Sequence, residues 1–228
     1  MPHWSLPPYP SEVSTKPPSS LTERRKAATQ LEIAHAAAEL FATQGPHATT
    51  AEEIARDAGV ALRTFYRYFR SKQDAVSPLL AAGADRWRAL LEAAEPGADL
   101  PRTLEAAVQR SLAAPDEEAA GALLRTRGLL RAAADDPGLR AVWYRVNQES
   151  EERLVPVLDR LADGRLGTVQ VRLVAAAATD AIRIALETWA DTEAGVTGAS
   201  SPAALAIDCL RQLVGGMGAL TTGGDGRG

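Results

Sequence analysis

The chain has 228 residues, a net charge of −4 and 46% hydrophobic residues, enough for one large domain or two smaller ones with a real core. Its single cysteine, Cys209, excludes an intrachain disulfide framework, fits a reducing cytoplasm, and reads as a small buried hydrophobe in an apolar helix. No run approaches the roughly 18 apolar residues of a membrane span, and no basic block followed by an apolar run marks a secretion signal, so a cytoplasmic protein without a membrane partner is expected.

Residues 1–22, rich in proline and serine, are expected to form a disordered extension. Alanine runs at 36–38, 132–134 and 175–178 favour helix, aromatics make up only 5%, and β-branched residues never alternate for long, so the fold class is all-α. Thr29-Gln30-Leu31-Glu32 reads as a capping box opening a first helix, with Leu31, Ala34, Ala37, Ala38 and Phe41 on one apolar stripe. Gly45-Pro46 should stop it, with Gly45 in the left-handed end conformation. A second box, Thr50-Ala51-Glu52-Glu53, opens a helix that turns Ile54 and Ala55 inward and ends at Gly59. A third short helix covers about 62–68. Ser71 to Asp74 then opens a fourth, which Pro78 should kink or shorten. After a loop at 95–99, helices are predicted near 101–113, 116–134, 137–161, 167–191 and 202–220, about nine in all. Asp136-Pro137 and Ser201-Pro202 each set a capping residue before a first-turn proline. The domains read as the extension at 1–22, a helix-turn-helix head at 23–72, a helical body at 73–220 and a flexible tail at 221–228.

Charge is unevenly distributed. From Lys16 to Lys72 there are nine basic and six acidic residues, and from Gln73 onward sixteen and twenty-two. A basic head on an acidic body suits phosphate contact by the head alone. Within it, two short helices meet at a tight turn, Ala58-Gly59-Val60, with Ile54, Val60 and Phe65 spaced to share a small core with Leu40 and Phe41. This is a helix-turn-helix, whose second helix enters the major groove of double-stranded DNA. Leu62, Arg63 and Thr64 occupy the first turn of that helix, where base edges are reached, and Arg63 is suited to guanine O6 and N7. Thr49 and Thr50 are candidates for a phosphate at a helix start. Tyr66, Arg67 and Lys72 are candidates for flanking backbone contacts, and Arg24, Arg25 and Lys26, read as preceding the first helix, for a basic arm.

Taken together, Leu40-Phe41, Gly45, Thr49-Thr50, Ile54-Ala55, Ala58-Gly59-Val60, Arg63 through Phe69 and Ser71-Lys72 resemble the signature of the TetR/AcrR regulators, over about a fifth of the chain. The resemblance implies an all-helical homodimer, paired through its last two long helices. It implies repression of an operator and release by a small hydrophobic or amphipathic molecule held in the C-terminal domain. By position it implies phosphate contacts for Thr49, Thr50, Tyr66 and Lys72, and base reading or nearby contacts for Leu62, Arg63 and Arg67. Ala61 departs from the pattern, which carries a serine-like cap there. Activation, or a ligand-binding protein without a DNA role, are the alternatives.

The body says less. The helix order and the Trp189 segment resemble the branch with an acyl-CoA-like ligand domain. Trp87, Leu130, Trp143 and Tyr144 are candidates for an apolar pocket wall, or for plain core. Asn147, Gln148, Asp180 and Arg183 are candidate anchors. Thr179-Asp180 with Arg183 is polar inside an apolar helix. Asp180 and Arg183, three residues apart, either pair with each other, lie in the dimer seam, or contact a ligand. His3, His35 and His47 have no metal-site spacing, and no catalytic set or cofactor loop is visible, so neither an enzyme nor a cofactor protein is expected.

Overall fold

The computed structural model describes residues 20–221, with side-chain surroundings for residues 20–213. The expected extension at 1–22 is described only from Ser20, and the expected tail lies outside the described residues beyond Thr221. Among the described residues there are helices and no strands: α1 (Leu21–Ala48), α2 (Ala51–Asp57), α3 (Leu62–Tyr68), a short 3₁₀ turn (Asp74–Val76), α4 (Ser77–Glu92), α5 (Leu100–Ser111), α6 (Glu117–Asp135), α7 (Pro137–Ala162), α8 (Thr168–Ala190) and α9 (Pro202–Thr221). None is long and apolar enough to cross a membrane.

Most helix starts follow capping chemistry, and two are displaced from the sequence reading, those of α1 and α4. α1 opens at Ser20, not Thr29. The Ser20 hydroxyl accepts from the Glu23 amide at 3.1 Å, and the Glu23 carboxylate accepts from the Ser20 amide at 2.7 Å. Thr29 lies inside the helix, where its hydroxyl donates to the Arg25 carbonyl at 3.1 Å. A threonine can close its hydrogen bond backward onto its own helix, so the Thr-x-x-Glu spacing does not by itself mark an N-terminus. Arg24, Arg25 and Lys26 are therefore exposed residues of the first helical turns and not an arm preceding the helix.

Gly45 stops the long helical run of α1, as expected, but not in the left-handed helical conformation. Its φ of 81° and ψ of 157° combine positive φ with extended ψ, a region reserved for glycine, and Pro46–Ala48 add one more turn. The fourth helix is shortened and not kinked: the Ser71 hydroxyl accepts from the Asp74 amide at 3.1 Å but opens only the 3₁₀ turn, and α4 begins at Ser77, one residue before Pro78. Pro78 occupies the second position, in the first turn, where amides have no intrahelical acceptor in any case. Asp99, Asp116 and Asp136 cap α5, α6 and α7, and the Ser201 hydroxyl accepts from the Ala204 amide at the start of α9.

α1 packs against α6 and α4, α7 against α4, α6 and α8, and α9 against α8 and α5. The buried residues form one continuous cluster, from Ile33 and Phe65 at the head to Trp189 and Leu210 in the body. Where α3 hands over to α4, the Gln73 side-chain amide donates to Asp136 at 3.1 Å and Arg145 pairs with Asp74 at 2.5 Å. The reading end is thus fastened to the α6–α7 corner.

Candidate nucleic-acid interface and ligand cavity

The helix-turn-helix is built from the caps inward. The Thr50 hydroxyl accepts from the Glu53 amide at 3.2 Å, while the Glu53 carboxylate takes the Thr50 amide at 2.8 Å and its hydroxyl at 2.9 Å. Those bonds, the backbone one first, hold the Glu53 carboxyl below its ordinary pKa. The turn closes with Ala58 donating to Ile54 at 2.9 Å and Val60 to Ala55 at 2.8 Å. Gly59, at φ 66°, supplies the left-handed residue that lets the chain reverse. Ile54 and Phe65 are completely buried, each contributing about 1.5–3 kcal/mol, and Phe41 and Phe69 close the same core.

Anchoring Phe65 inward turns the opposite face of α3 to solvent. Arg63, Tyr66 and Arg67 are exposed there, with Leu62 and Thr64 half-buried at the first turn. Tyr66 stands edge-on to Phe65 at 5.3 Å, so its ring is braced while more than half of the residue stays exposed. Arg67 donates to the Tyr68 hydroxyl at 3.2 Å. Thr50 is exposed at the start of α2. Ala61 is the N-cap of α3 and makes no side-chain cap bond, as its residue type dictates.

Two expected contacts have other partners. Thr49 is fully buried, and its hydroxyl donates to the Gly45 carbonyl at 2.9 Å, so this side chain does not offer a hydroxyl to a phosphate. Lys72 is half-buried, and its ammonium donates to the Thr49 carbonyl at 2.7 Å. Lys72 thereby ties the end of α3 to the α1–α2 corner.

In the body, a cavity of about 520 Å³ opens between α4, α5, α6, α7, α8 and the middle of α1. Of the expected wall and anchor residues it gathers Trp87, Trp143 and Asn147. It leaves the others elsewhere. Leu130 is buried in the core without lining the cavity, and Tyr144 and Gln148 face solvent. Asp180 and Arg183 pair at 2.9 Å, as the i, i+3 spacing allows, and Arg183 also bonds Glu187 at 2.9 Å, so neither lines the cavity. Sequence reasoning missed Leu31 and His35, which line the cavity from α1. The signal was present in Leu31, placed on the inward stripe of the head. Ile33 takes that buried position, and Leu31 is 40% exposed toward the cavity mouth. Among the described residues no cluster of His, Cys, Asp and Glu could hold a metal ion.

The family described as bacterial regulatory proteins, tetR family, matches residues 33–76, which span the second half of α1 through the 3₁₀ turn. The chain is also 31% identical over 153 residues to the HTH-type transcriptional regulator TcmR of Streptomyces glaucescens, covering 65% of this chain and 67% of TcmR. The chain belongs to the TetR family. This TetR-family protein is a DNA-binding transcriptional regulator, and α2–turn–α3 is its helix-turn-helix. It is 36% identical over 106 residues to the HTH-type transcriptional repressor KstR2 of Rhodococcus jostii, covering 45% of this chain and half of KstR2. Its fold matches that of FadR from Bacillus subtilis, solved in complex with stearoyl-CoA, with a TM-score of 0.50 at 22% identity over 82% of this chain and 98% of FadR.

Proposed function

We propose that this TetR-family regulator is a repressor that binds a palindromic operator as a homodimer and leaves it when a small molecule occupies the cavity. The observation that carries this reading is the shared helix. α1 packs against the helix-turn-helix at one end and lends Leu31 and His35 to the cavity wall at its middle. A ligand reaching the mouth therefore touches the helix that supports the reading head, and a difference in those contacts between two head positions biases DNA affinity.

Arg63 is the proposed base reader, with Leu62 and Thr64 beside it. Thr50, Tyr66 and Arg67 contact the backbone, and Arg24, Arg25 and Lys26 add charge from the first turns of α1. Lys72 acts chiefly by holding the α1–α2 corner and brings its charge near a flanking phosphate. Two reading helices would meet successive major grooves about 34–36 Å apart. The dimer seam is assigned to α8 and α9. Val169, Leu173 and Ile184 on α8 and Leu213 on α9 are large exposed apolar residues, and the α8 set recurs at helical spacing on one face. The body from α4 onward would be the ligand-binding and dimerisation unit, with α1–α3 as the head. The protein has no enzymatic role in this reading and works in the bacterial cytoplasm, on the nucleoid when bound.

Titrating the protein against its own upstream DNA by fluorescence anisotropy tests the reading. A specific complex that weakens with salt is expected, and absence of any specific, salt-sensitive complex would overturn it. Arg63→Ala should cost about 1–3 kcal/mol on the preferred site and relax base preference at one position per half-site.

A further inference from the structure

Among the described residues, the buried polar atoms without a hydrogen-bond partner are Trp87 Nε1, Arg88 Nε, Arg127 Nε and Thr179 Oγ1. Both arginines bond through their other nitrogens. Trp87 and Thr179 are therefore the two wholly unpartnered side chains, and both line the cavity. Their isolation is not the habit of the surrounding helices. Thr126 and Ser150, in the same wall, each donate to the carbonyl four residues earlier, at 3.1 and 2.8 Å. Ser111 donates to Val108, and the Trp143 indole to Glu187 at 2.7 Å. Thr179 makes no such backward bond. Asn147 spends its amide nitrogen on the Trp143 carbonyl at 2.9 Å, which leaves Oδ1 able to accept.

The charges lie elsewhere in the cavity. Its buried wall includes Trp87, Leu129, Trp143, Val146, Thr179 and Leu186, and none of its buried lining residues is ionisable. The charged and titratable lining residues, His35, Arg86, Arg110, Asp116, Glu118 and Arg125, are all exposed and of both signs, and so stand at the mouth. A carboxylate or phosphate drawn into the wall would lose its hydration and find no buried cation. A neutral oxygen needs no counter-charge and, once the two groups turn toward it, can accept from the indole N–H and the hydroxyl.

We propose that the cavity takes an uncharged, mainly apolar ligand carrying a carbonyl or comparable acceptor oxygen, which is bound by Trp87 Nε1 and Thr179 Oγ1. This rests on the reading of the cavity as the effector site. Neither atom is open to solvent, so the ligand meets them through a turn of Thr179 about χ1 and a tilt of the indole. The ligand class differs from an acyl-CoA-like molecule in that no anionic group is held by the wall.

The full-length protein is titrated calorimetrically, without DNA, against three probes of one shape. Benzophenone carries the acceptor, diphenylmethane lacks it, and 4-benzoylbenzoate adds a carboxylate. Benzophenone should bind about tenfold more tightly than either, the worth of a buried neutral hydrogen bond. Thr179→Val and Trp87→Phe should each remove about threefold or more of its advantage over diphenylmethane without weakening diphenylmethane, and Thr179→Ser should retain the advantage. Equal affinities, as when bound water already satisfies the two groups, would overturn the proposal. So would a preference for the carboxylate, no binding of any probe, or an advantage untouched by both variants. Operator binding is measured separately on the same preparation. Intact DNA binding with no carbonyl preference sinks the ligand class alone, and a carbonyl preference with no DNA response sinks the effector reading.

Discussion

Removing the Asp136 side chain tests how the head is fastened to the body. Asp136 is 3% exposed. One oxygen accepts from the Leu139 amide at 2.9 Å, capping α7, and the other accepts from the Gln73 side chain at 3.1 Å, across the head–body corner. Burial alone would raise its pKa, but the bonds from the Leu139 amide, Gln73 and the Gly138 amide outweigh burial and leave the carboxyl below its ordinary value. Asp136→Ala removes a cap worth about 0.5–2 kcal/mol and a charge-assisted bond worth about 1.5–3 kcal/mol. Because the second group is only half-buried, about 2–4 kcal/mol in total is expected at pH 7. Asp136→Asn keeps one acceptor oxygen for the Leu139 amide, and its Nδ2 can donate to a flipped Gln73 side chain, so it should lose only about 1 kcal/mol. The sign with pH follows from the depressed pKa. The carboxylate's stabilisation is complete above the unfolded-state pKa of about 4 and is lost as pH falls through the lower folded value. Urea unfolding at pH 7, 4 and 3 measures this, and the gap between wild type and Asp136→Ala should begin to narrow by pH 4 and narrow further at pH 3. An Asp136→Ala protein within about 0.5 kcal/mol of wild type, or a gap unchanged at pH 3, refutes the reasoning.

Ala61→Ser should supply the missing α3 cap, accepting from the Thr64 amide, and raise stability by about 0.5–2 kcal/mol in urea melts; no gain would show that Ala61 does not act as the cap. Thr179→Val removes a buried hydroxyl that has no partner and should stabilise the free protein by about 1 kcal/mol, read as a higher Tm. A lower Tm would mean the hydroxyl is satisfied. Leu31→Ala, at the cavity mouth, should leave affinity for upstream DNA within about twofold while weakening ligand-induced release about three- to tenfold; unchanged release would remove α1 from the coupling.

The head was largely legible in the sequence because short-range chemistry builds it. Thr50 and Glu53 are three residues apart and close their box within one turn, Gly59 has a conformational freedom few residues share, and Phe65 has one apolar core to enter. The cap at Asp136 and the Asp180–Arg183 pair were legible for the same reason. The legible signal failed where two local solutions compete. Thr29 carries the spacing of a cap but bonds backward into a helix already begun at Ser20. The cavity was readable only in part because its wall comes from six helices, and an alanine- and leucine-rich pattern does not say which neighbour covers which face. Trp87 and Trp143 stood out by size, whereas Leu31 was indistinguishable from a core leucine until α6 and α4 were packed beside α1. The same limit hid Lys72, whose acceptor lies twenty-three residues earlier.

On the proposed reading, the size of the allosteric effect bears on how it is transmitted. A hundredfold loss of operator affinity needs about 2.7 kcal/mol of differential ligand binding between the two head positions. Leu31 is already 60% covered, so completing its burial supplies only about 1 kcal/mol. The remainder must come from elements that touch both the cavity and the head's base. α4 meets that requirement. Trp87 and Leu80 contribute to the cavity wall, the preceding 3₁₀ turn packs on α1, and Asp74 within that turn is held by Arg145 of α7. Gln73, one residue before, is held by Asp136. A ligand that displaces the Trp87 indole therefore pulls on a helix whose first turn is pinned at the α6–α7 corner. The displacement passes to the head through that pinned turn as well as through α1, which makes Asp136 a determinant of coupling in addition to stability.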